Sequence, residues 1–546
     1  MNRRTVTLAV SALLCAYGLG RALAMRWVCD DAFICFRYAD NLLAGKGLVW
    51  NAGERVEAIT NLGWTVLIAL FRVPGWDPIV LAELLGVLSF AALLWLSYRL
   101  ETDGAPGALP WGTWAIAVQP DLIEWTTGGL ETMTAGALAV ASALAVRKQK
   151  WIAAGALVAV MYSVRPDAVL ISAALVGLAG WEHRRKVLLA ALVAAAGIGA
   201  ITAFRYGYYG DLLPNSFYAK SGGSSYWSHG ASHFGLLFAG SPMLALLGAV
   251  FAAWRFRHRG RGLLPSDVWL IAAFVYVLYV IRSGGDYMHA RRYVPALPLM
   301  LLAFTQPLRE AATRPVWIAG ALAVVLLAVP VPIFSLFGQP HAGTLRIGDV
   351  ADERSELPPW VIELSQKQGP MLEQLFHDIP DAHFVFEGGL CVLAYYSRLS
   401  YLQEPNGLTD RESARRPVGD ERGRPGHEAV ISNERLNQLK VQLVLGQNYM
   451  PNLAMFNVIQ LPQLRLTLRT RYYDDAVMTP LLAKPGVEAE SAEALLKNTD
   501  QVLDTANCDD ARGMMGVLDS YYFLSPAPHP GREPFAHKVE HRCGTP

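Results

Sequence analysis

What most constrains this chain is a succession of long apolar segments separated by short charged ones. The hydrocarbon core of a bilayer takes about 20 apolar residues of helix. Segments of this kind run at 5–25, 78–98, 108–122, 130–146, 151–164, 168–181, 187–205, 233–254, 264–282, 293–307 and 316–336, which predicts about eleven helices in a polytopic, mainly α membrane fold. The stretch "TNLGWTVLIALF" (60–71) is apolar but short, and suits an interfacial or re-entrant helix better than a span. Charged residues make up only 17% of the chain, against about 25% in soluble domains. With a net charge of +1 there is no global field to recruit nucleic acid, so partners are recognised locally.

The start "MNRRTVTLAVSALLCAYGLGRALA" has the basic front, apolar middle and Ala22-x-Ala24 ending of a cleaved signal peptide. The later spans favour a first membrane helix instead. With the N-terminus inside, "MNRR", "SYRLETDG", "RKQK", "EHRRK", "RFRHRGRG" and "QPLREAATRP" all become cytoplasmic, and each carries Arg or Lys as the positive-inside rule requires. The opposite loops are "CDDAFICFRYADNL", "DLIEWTTGGLET", "SVRPDA", "RYGYYGDLLPNSFYAKSGG" and "RSGGDYMHARRYVP". These mix carboxylates with cations or aromatics. Each alone reads as loop salt bridges and helix caps. Ionisable groups near a bilayer persist where they pair or bind something, so five such clusters on one face predict a shared extracytoplasmic polar cavity.

The composition divides the chain into a membrane part, 1–336, whose first extracytoplasmic loop covers about 28–77, and a more polar extracytoplasmic part, 337–546. In the latter, "PWVIELSQKQGPMLEQLF" reads as a helix and "HFVFEGG" and "KVQLVLGQ" as strands, which predicts a mixed α/β domain. The six cysteines form no C-x-x-C pair and no zinc spacing. Cys508 and Cys543 are placed to pair only if this region lies outside the cytosol.

There is no P-loop, G-x-S-x-G, H-E-x-x-H or dinucleotide fingerprint. The remaining chemistry is a carboxylate pair, Asp30 and Asp31, followed by Arg37, Tyr38 and Asp40, with cations Arg165, Lys220, Arg291 and Arg292 on the same face. These groups suit transfer of a sugar from a lipid phosphate. Phosphate leaves without a general acid if cations stabilise it, and the acceptor hydroxyl needs a carboxylate as base. Adjacent, buried carboxylates raise one another's pKa, which expects one of Asp30 and Asp31 near working pH. One of them also suits the cap of the helix "AFICFRYADNLL". Tyr38, Trp64, Trp125, Tyr208, Tyr218 and Tyr287 are placed to stack on sugars or to form an interfacial aromatic belt. A polytopic transporter or lipid flippase with the polar cavity as its path is the competing class; it ordinarily leaves internal repeats and mid-span polar breaks, and no repeat is visible.

The segments "DDAFICFRYADNLLAGKGLVWNAGERVEAITN", "GLET" (129–132), "RPD" (165–167), "YYGDLLPNSFYAK" (208–220), "GGDYMHARRYVPALP" (284–298), "NGLTD" and "GRPGHE" (423–428) together resemble the bacterial terminal arabinofuranosyltransferases, polyprenyl-phosphate-sugar-dependent glycosyltransferases of the GT-C class. The resemblance implies a GT-C fold and a decaprenyl-phosphate arabinofuranose or similar donor. The acceptor it implies is an extracytoplasmic glycan, lipopolysaccharide or protein. It places the essential aspartate at Asp30 or Asp31. Carried over, Glu57, Glu131, Arg165, Asp167, Asp211, Asn215, Lys220, Asp286, Arg291 and His427 match polar motif positions, and with Arg37, Tyr38 and Arg292 they form the expected substrate-binding set. The chain departs from the pattern at "EAITN" in place of Glu-Gly-Tyr-Thr-Asn, at "RPDA" in place of Arg-Pro-Asp-Gly, and at Arg292 in place of an aromatic. No cofactor is called for by any motif, and a divalent cation on the phosphate is left open. The implied place is the bacterial inner membrane, with the N-terminus cytoplasmic and the C-terminal domain outside.

Overall fold

The computed structural model describes residues 3–72, 75–103, 108–179, 183–221, 226–311, 329–341, 344–387, 391–416, 424–446, 457–489, 492–523 and 531–543. The chain divides into two compact units. One holds Met1–Trp50, Glu54–Pro359 and Ala414–Ala429; the other holds Asn51–Gly53, Trp360–Ser413 and Val430–Pro546.

The first unit is helical. Its elements are α1 (Arg3–Ala24), α2 (Ala32–Leu43), α3 (Leu62–Phe71), α4 (Pro78–Thr102), α5 (Trp111–Val118), α6 (Pro120–Trp125), α7 (Thr132–Arg147), α8 (Trp151–Val164), α9 (Val169–Ala179), α10 (Arg184–Tyr209), α11 (Asn215–Ser221), α12 (Trp227–Gly240), α13 (Pro242–Arg257), α14 (Pro265–Arg282), α15 (Leu297–Phe304) and α16 (Gln306–Glu310). Among the described residues four helices are long and apolar enough to cross a membrane, α1, α4, α10 and α14, or five with the pair α12–α13. The expected span 316–336 falls mostly outside the described residues. α4 packs on α7, α8 on α10, and α14 on α9 and α15, so the shorter apolar helices α7, α8 and α9 lie among the longer ones. The isolated apolar segment 60–71 forms the short helix α3, as its length suggests.

Two expected spans are broken, and proline explains both. The segment 233–254 is two helices bent by 100°. Pro242 offers no N–H and forces Ser241 out of the helical region (φ −127°, ψ 88°). The segment 108–122 likewise stops at Gln119, which is extended (ψ 118°) before Pro120 starts α6. The loop after α6 meets the turn before α2, where the Cys29 N–H donates to the Gly128 carbonyl. After α16, strands β1 (Gln339–His341), β2 (Thr344–Ile347) and β3 (Val350–Ala351) form an antiparallel sheet that belongs to this unit.

The second unit is mixed α/β. β4 (His383–Phe386) pairs in parallel with β5 (Tyr401–Gln403) and β6 (Leu443–Leu445), and β8 (Leu466–Thr470) joins β6 antiparallel and carries β7 (Val458–Leu461) at the edge. The expected helix occupies Pro359–Phe376. Cys508 and Cys543 form a disulfide.

Candidate active site

The turn that carries Asp30 and Asp31 is fixed first by packing. The Cys29 N–H donates to the Gly128 carbonyl at 3.0 Å. Gly129 (φ 81°) lies so close that a Cβ there would stand 2.8 Å from the Ala32 Cβ and 2.9 Å from Val28 Cγ2. Both its conformation and its contacts demand glycine. Gly129→Ala is expected to destabilise the protein by about 1–3 kcal/mol and to cut transfer by displacing the turn, as measured by thermal melting and by turnover of the purified chain.

Asp31 stands at the N-cap of α2, but its side chain makes no capping hydrogen bond. It accepts from Arg291 Nη1 at 2.8 Å and from Tyr287 Oη at 3.4 Å. The cap expected of one aspartate is therefore not made by Asp31, because a guanidinium is the stronger partner. Asp30 is half-buried beside it.

Arg291 is aimed by its own neighbours. Its Nε and Nη2 donate to Asp286 Oδ2 and Oδ1 at 2.6 and 2.9 Å, which leaves Nη1 for Asp31. The backbone supports this: Gly285 (φ 74°) lies where a Cβ would meet His233 Nδ1 at 2.7 Å, and Ala290 adopts the left-handed region (φ 57°) that non-glycine residues visit only under constraint. Trp125 Nε1 clamps the same turn through the His289 carbonyl at 3.0 Å.

A second chain of ion pairs runs alongside. Asn61 Nδ2 donates to Glu131 Oε2 at 2.5 Å, Arg165 pairs with Glu131 at 2.6 Å and with Asp167 at 3.2 Å, and Asp167 accepts from Arg292 at 3.2 Å. Arg292 also donates to Ser283 Oγ and the Gly285 carbonyl, so this chain ends on the turn that carries Arg291.

The segment 414–429 belongs to the same unit and closes on Tyr287. The His427 ring meets it edge-on at 4.5 Å and Arg424 lies over its face at 4.1 Å. Tyr287 is thus occupied by protein groups rather than open as a sugar platform. Trp64 and Trp125 are likewise core residues, 1% exposed each. Lys220 has no ion-pair partner among the described residues, and its charge reaches both Asp31 and His427.

Burial pushes the Asp31 carboxyl up, but the charges of Arg291 and Lys220 and the Arg291 hydrogen bond outweigh it, so Asp31 is held below the usual carboxylate range. Of the two aspartates, one of which is expected to be raised, Asp31 is therefore not that one: the neighbour that sets its pKa is a cation, not the adjacent carboxylate. His427 is pushed down to about 4 by burial and by Arg424, and is neutral at neutral pH. Asp286 is held low: burial raises it, and the Arg291 charge more than reverses this.

The other expected residues stand apart from this cluster. Glu57 pairs with Arg205 at 3.0 Å, both fully buried. Tyr38 Oη donates to the Val56 carbonyl and accepts from the Ala58 N–H, and Arg37 donates to the Trp50 carbonyl at 2.9 Å with its guanidinium over the Trp50 ring. These three hold the 50–58 loop. Asp211 and Asn215 both accept from Arg415, which lies 4.2 Å over Tyr218. Sequence reasoning missed Glu353, Glu356 and Arg346, which follow the last span with no motif around them, and did not single out Arg424 within "GRPGHE". Among the described residues no group of three or more His, Cys, Asp or Glu is placed to hold a metal ion.

No protein-family model matches the chain. It is 30% identical over 389 residues, 60% of its own length, to a terminal β-(1→2)-arabinofuranosyltransferase of Mycobacterium tuberculosis, and 31% identical over 334 residues to the enzyme of the same name from Corynebacterium glutamicum. It spans 61% and 47% of the length of these curated relatives. Among solved structures, ArnT from Cupriavidus metallidurans bound to undecaprenyl phosphate matches over 87% of this chain and 98% of its own, with a TM-score of 0.50 at 12% identity. The chain is therefore a multi-pass membrane protein with the GT-C fold of ArnT, and its curated relatives in sequence are terminal β-(1→2)-arabinofuranosyltransferases.

Proposed function

We propose that this chain is an inner-membrane glycosyltransferase that moves a sugar, an arabinofuranose, from a polyprenyl phosphate to an extracytoplasmic acceptor, with Asp31 as the base that takes the acceptor hydroxyl proton. The observation that carries the reading is the Asp31–Arg291–Asp286 triad, with Lys220 acting on it through space. It puts an ionised carboxylate beside cations suited to a phosphate leaving group. The two arabinofuranosyltransferase relatives and the lipid phosphate named for ArnT support the sugar and the donor. In this reading the N-terminus is cytoplasmic, the membrane part up to residue 336 carries catalysis, and 337–546 is extracytoplasmic, with 337–359 and 414–429 contributing to the catalytic unit. Arg165, Asp167, Glu131 and Arg292 position the turn that carries Arg291. Arg37, Tyr38, Glu57, Asp211 and Asn215 shape the loops around it. The acceptor is a cell-envelope glycan, lipopolysaccharide or protein.

Purified protein in lipid nanodiscs is expected to release labelled pentose from decaprenyl-phosphoryl arabinofuranose to a synthetic alkyl arabinofuranoside; no transfer to any acceptor would overturn the reading. Lys220 is expected to hold the phosphate. Lys220→Ala should raise the KM for the lipid donor by about 10-fold or more while leaving the melting temperature near wild type, because no ion pair is broken.

A further inference from the structure

Several buried carboxyls lie outside the triad among the described residues, and one of them, Glu353, stands beside the turn that carries Asp31. We propose that Glu353 is the acid partner of Asp31, handing a proton to the departing lipid phosphate while Asp31 takes one from the acceptor hydroxyl. The inference rests on the glycosyl-transfer reading above and replaces the expectation that phosphate leaves without an acid.

The fold brings Glu353 to the site through backbone pairing. The Ala351 N–H donates to the Tyr287 carbonyl at 2.7 Å and the His289 N–H to the Ala351 carbonyl at 3.2 Å, so β3 runs beside the turn that carries Arg291, and Glu353 follows it directly. The residue is 4% exposed. Its Oε1 lies 3.7 Å from Cys29 Sγ, two positions before Asp31; no N–H or hydroxyl donor among the described residues reaches its buried Oε2, and the carboxyl shares a side-chain hydrogen bond with Glu356. Cys29 in turn contacts Met288 Sδ at 3.8 Å, so that side of the carboxyl is weakly polar.

The charged and titratable groups that face it are Glu356 from its own helix, Cys29 and Asp31 from the first turn, and Tyr287 and Arg291 from the 285–293 turn. Glu356 is itself engaged by Arg346 at 2.9 Å and Arg424 at 3.5 Å. A second buried negative charge beside Glu356 and Asp31 would lack a cation of its own, since Arg291 is already shared by Asp31 and Asp286. Burial and then the Glu356 and Asp31 charges accordingly push Glu353 well above the usual carboxylate range. Two neighbouring carboxyls, one held ionised and one held protonated, are the arrangement from which base and acid roles are read.

The step balances. The bond from the sugar anomeric carbon to the phosphate oxygen breaks, and its electron pair stays on that oxygen, which takes the Glu353 proton. The acceptor oxygen forms the new bond to the anomeric carbon and loses its proton to Asp31. Return of the Asp31 proton to Glu353 restores the resting site, so the net products are the glycoside and a singly protonated lipid phosphate.

In nanodiscs with decaprenyl-phosphoryl arabinofuranose and the alkyl arabinofuranoside, wild-type kcat is expected to fall on the alkaline side as Glu353 loses its proton. Glu353→Gln should lower kcat by about 100-fold with donor KM unchanged, and should abolish the alkaline limb; Glu353→Asp should restore part of both. Infrared difference spectra of the full chain at neutral pH should contain a protonated carboxyl band that Glu353→Gln removes. Wild-type kcat and pH profile in Glu353→Gln, or no change in that band, overturns the proposal. If the wild type transfers nothing, the functional reading fails and the infrared band alone still decides whether Glu353 carries the proton.

Discussion

Asp31→Asn is expected to reduce transfer by about 10²- to 10⁴-fold, the range ordinarily contributed by a positioned base, in protein that inserts and melts like wild type. Asparagine keeps the size of the side chain and one oxygen for Arg291 Nη1, which Asp31 meets through Oδ2, while its amide nitrogen takes the place of Oδ1 and donates to Tyr287 Oη, so packing around the turn survives. What it lacks is the carboxylate that takes a proton. Asp31→Ala should lose as much activity but also some stability, because Arg291 Nη1 is then left without its acceptor. The same geometry sets the acid limb of the pH profile. A carboxyl held below its usual range is ionised throughout the neutral region and is lost as a base only when pH falls through that lowered value. Wild-type activity should therefore persist to lower pH than in an Arg291→Lys variant, where the restraint on Asp31 is weaker. Asp30→Asn separates the two aspartates: retained transfer there with loss in Asp31→Asn assigns the base to Asp31. Full activity in Asp31→Asn would remove it from the mechanism.

Much of this site was legible in the sequence because membrane topology is. Apolar length and the Arg and Lys content of loops sort the polar clusters onto one expected face, and that sorting alone groups Asp31, Arg291, Arg165 and Lys220. Two things were not legible. The first is pairing. Nothing in "CDDAFICF" and "GGDYMHARRYVP" says that Arg291 rather than Arg292 meets Asp31, since adjacent arginines differ only in the direction a strained turn gives them. The consequence is large, because Arg291 drives Asp31 down in pKa, whereas the adjacency of Asp30 and Asp31 alone leaves open which of the two is raised. The second is return of the chain from far away. Glu353 and Arg424 reach the cluster through a short strand pairing and through a segment that returns only after Trp360–Ser413 of the other compact unit, and no periodicity in one sequence encodes such a contact. Aromatic residues misled for a related reason: Trp64, Trp125 and Tyr287 sit in loops of the right face, but their rings are spent on packing and on clamping backbone carbonyls.

The largest stability effect is expected at Arg291. One guanidinium here serves two carboxylates, with Nε and Nη2 on Asp286 and Nη1 on Asp31, and Asp286 is 4% exposed. Arg291→Ala leaves that buried charge uncompensated and should cost about 3–5 kcal/mol, seen as a lower melting temperature, with transfer undetectable. Arg291→Lys returns the charge but not the fork, since a single ammonium cannot supply three donors in the directions the two carboxylates occupy. It should recover much of the stability and little of the transfer. Adding Asp286→Asn to Arg291→Ala removes the stranded charge and should restore stability beyond the sum of the single changes, a coupling of the kind that contacting pairs display, while transfer stays absent because Asp31 is still unheld. If the double variant regained transfer as well as stability, Arg291 would be a fold element alone, and the cation beside Asp31 would have to be sought in Lys220.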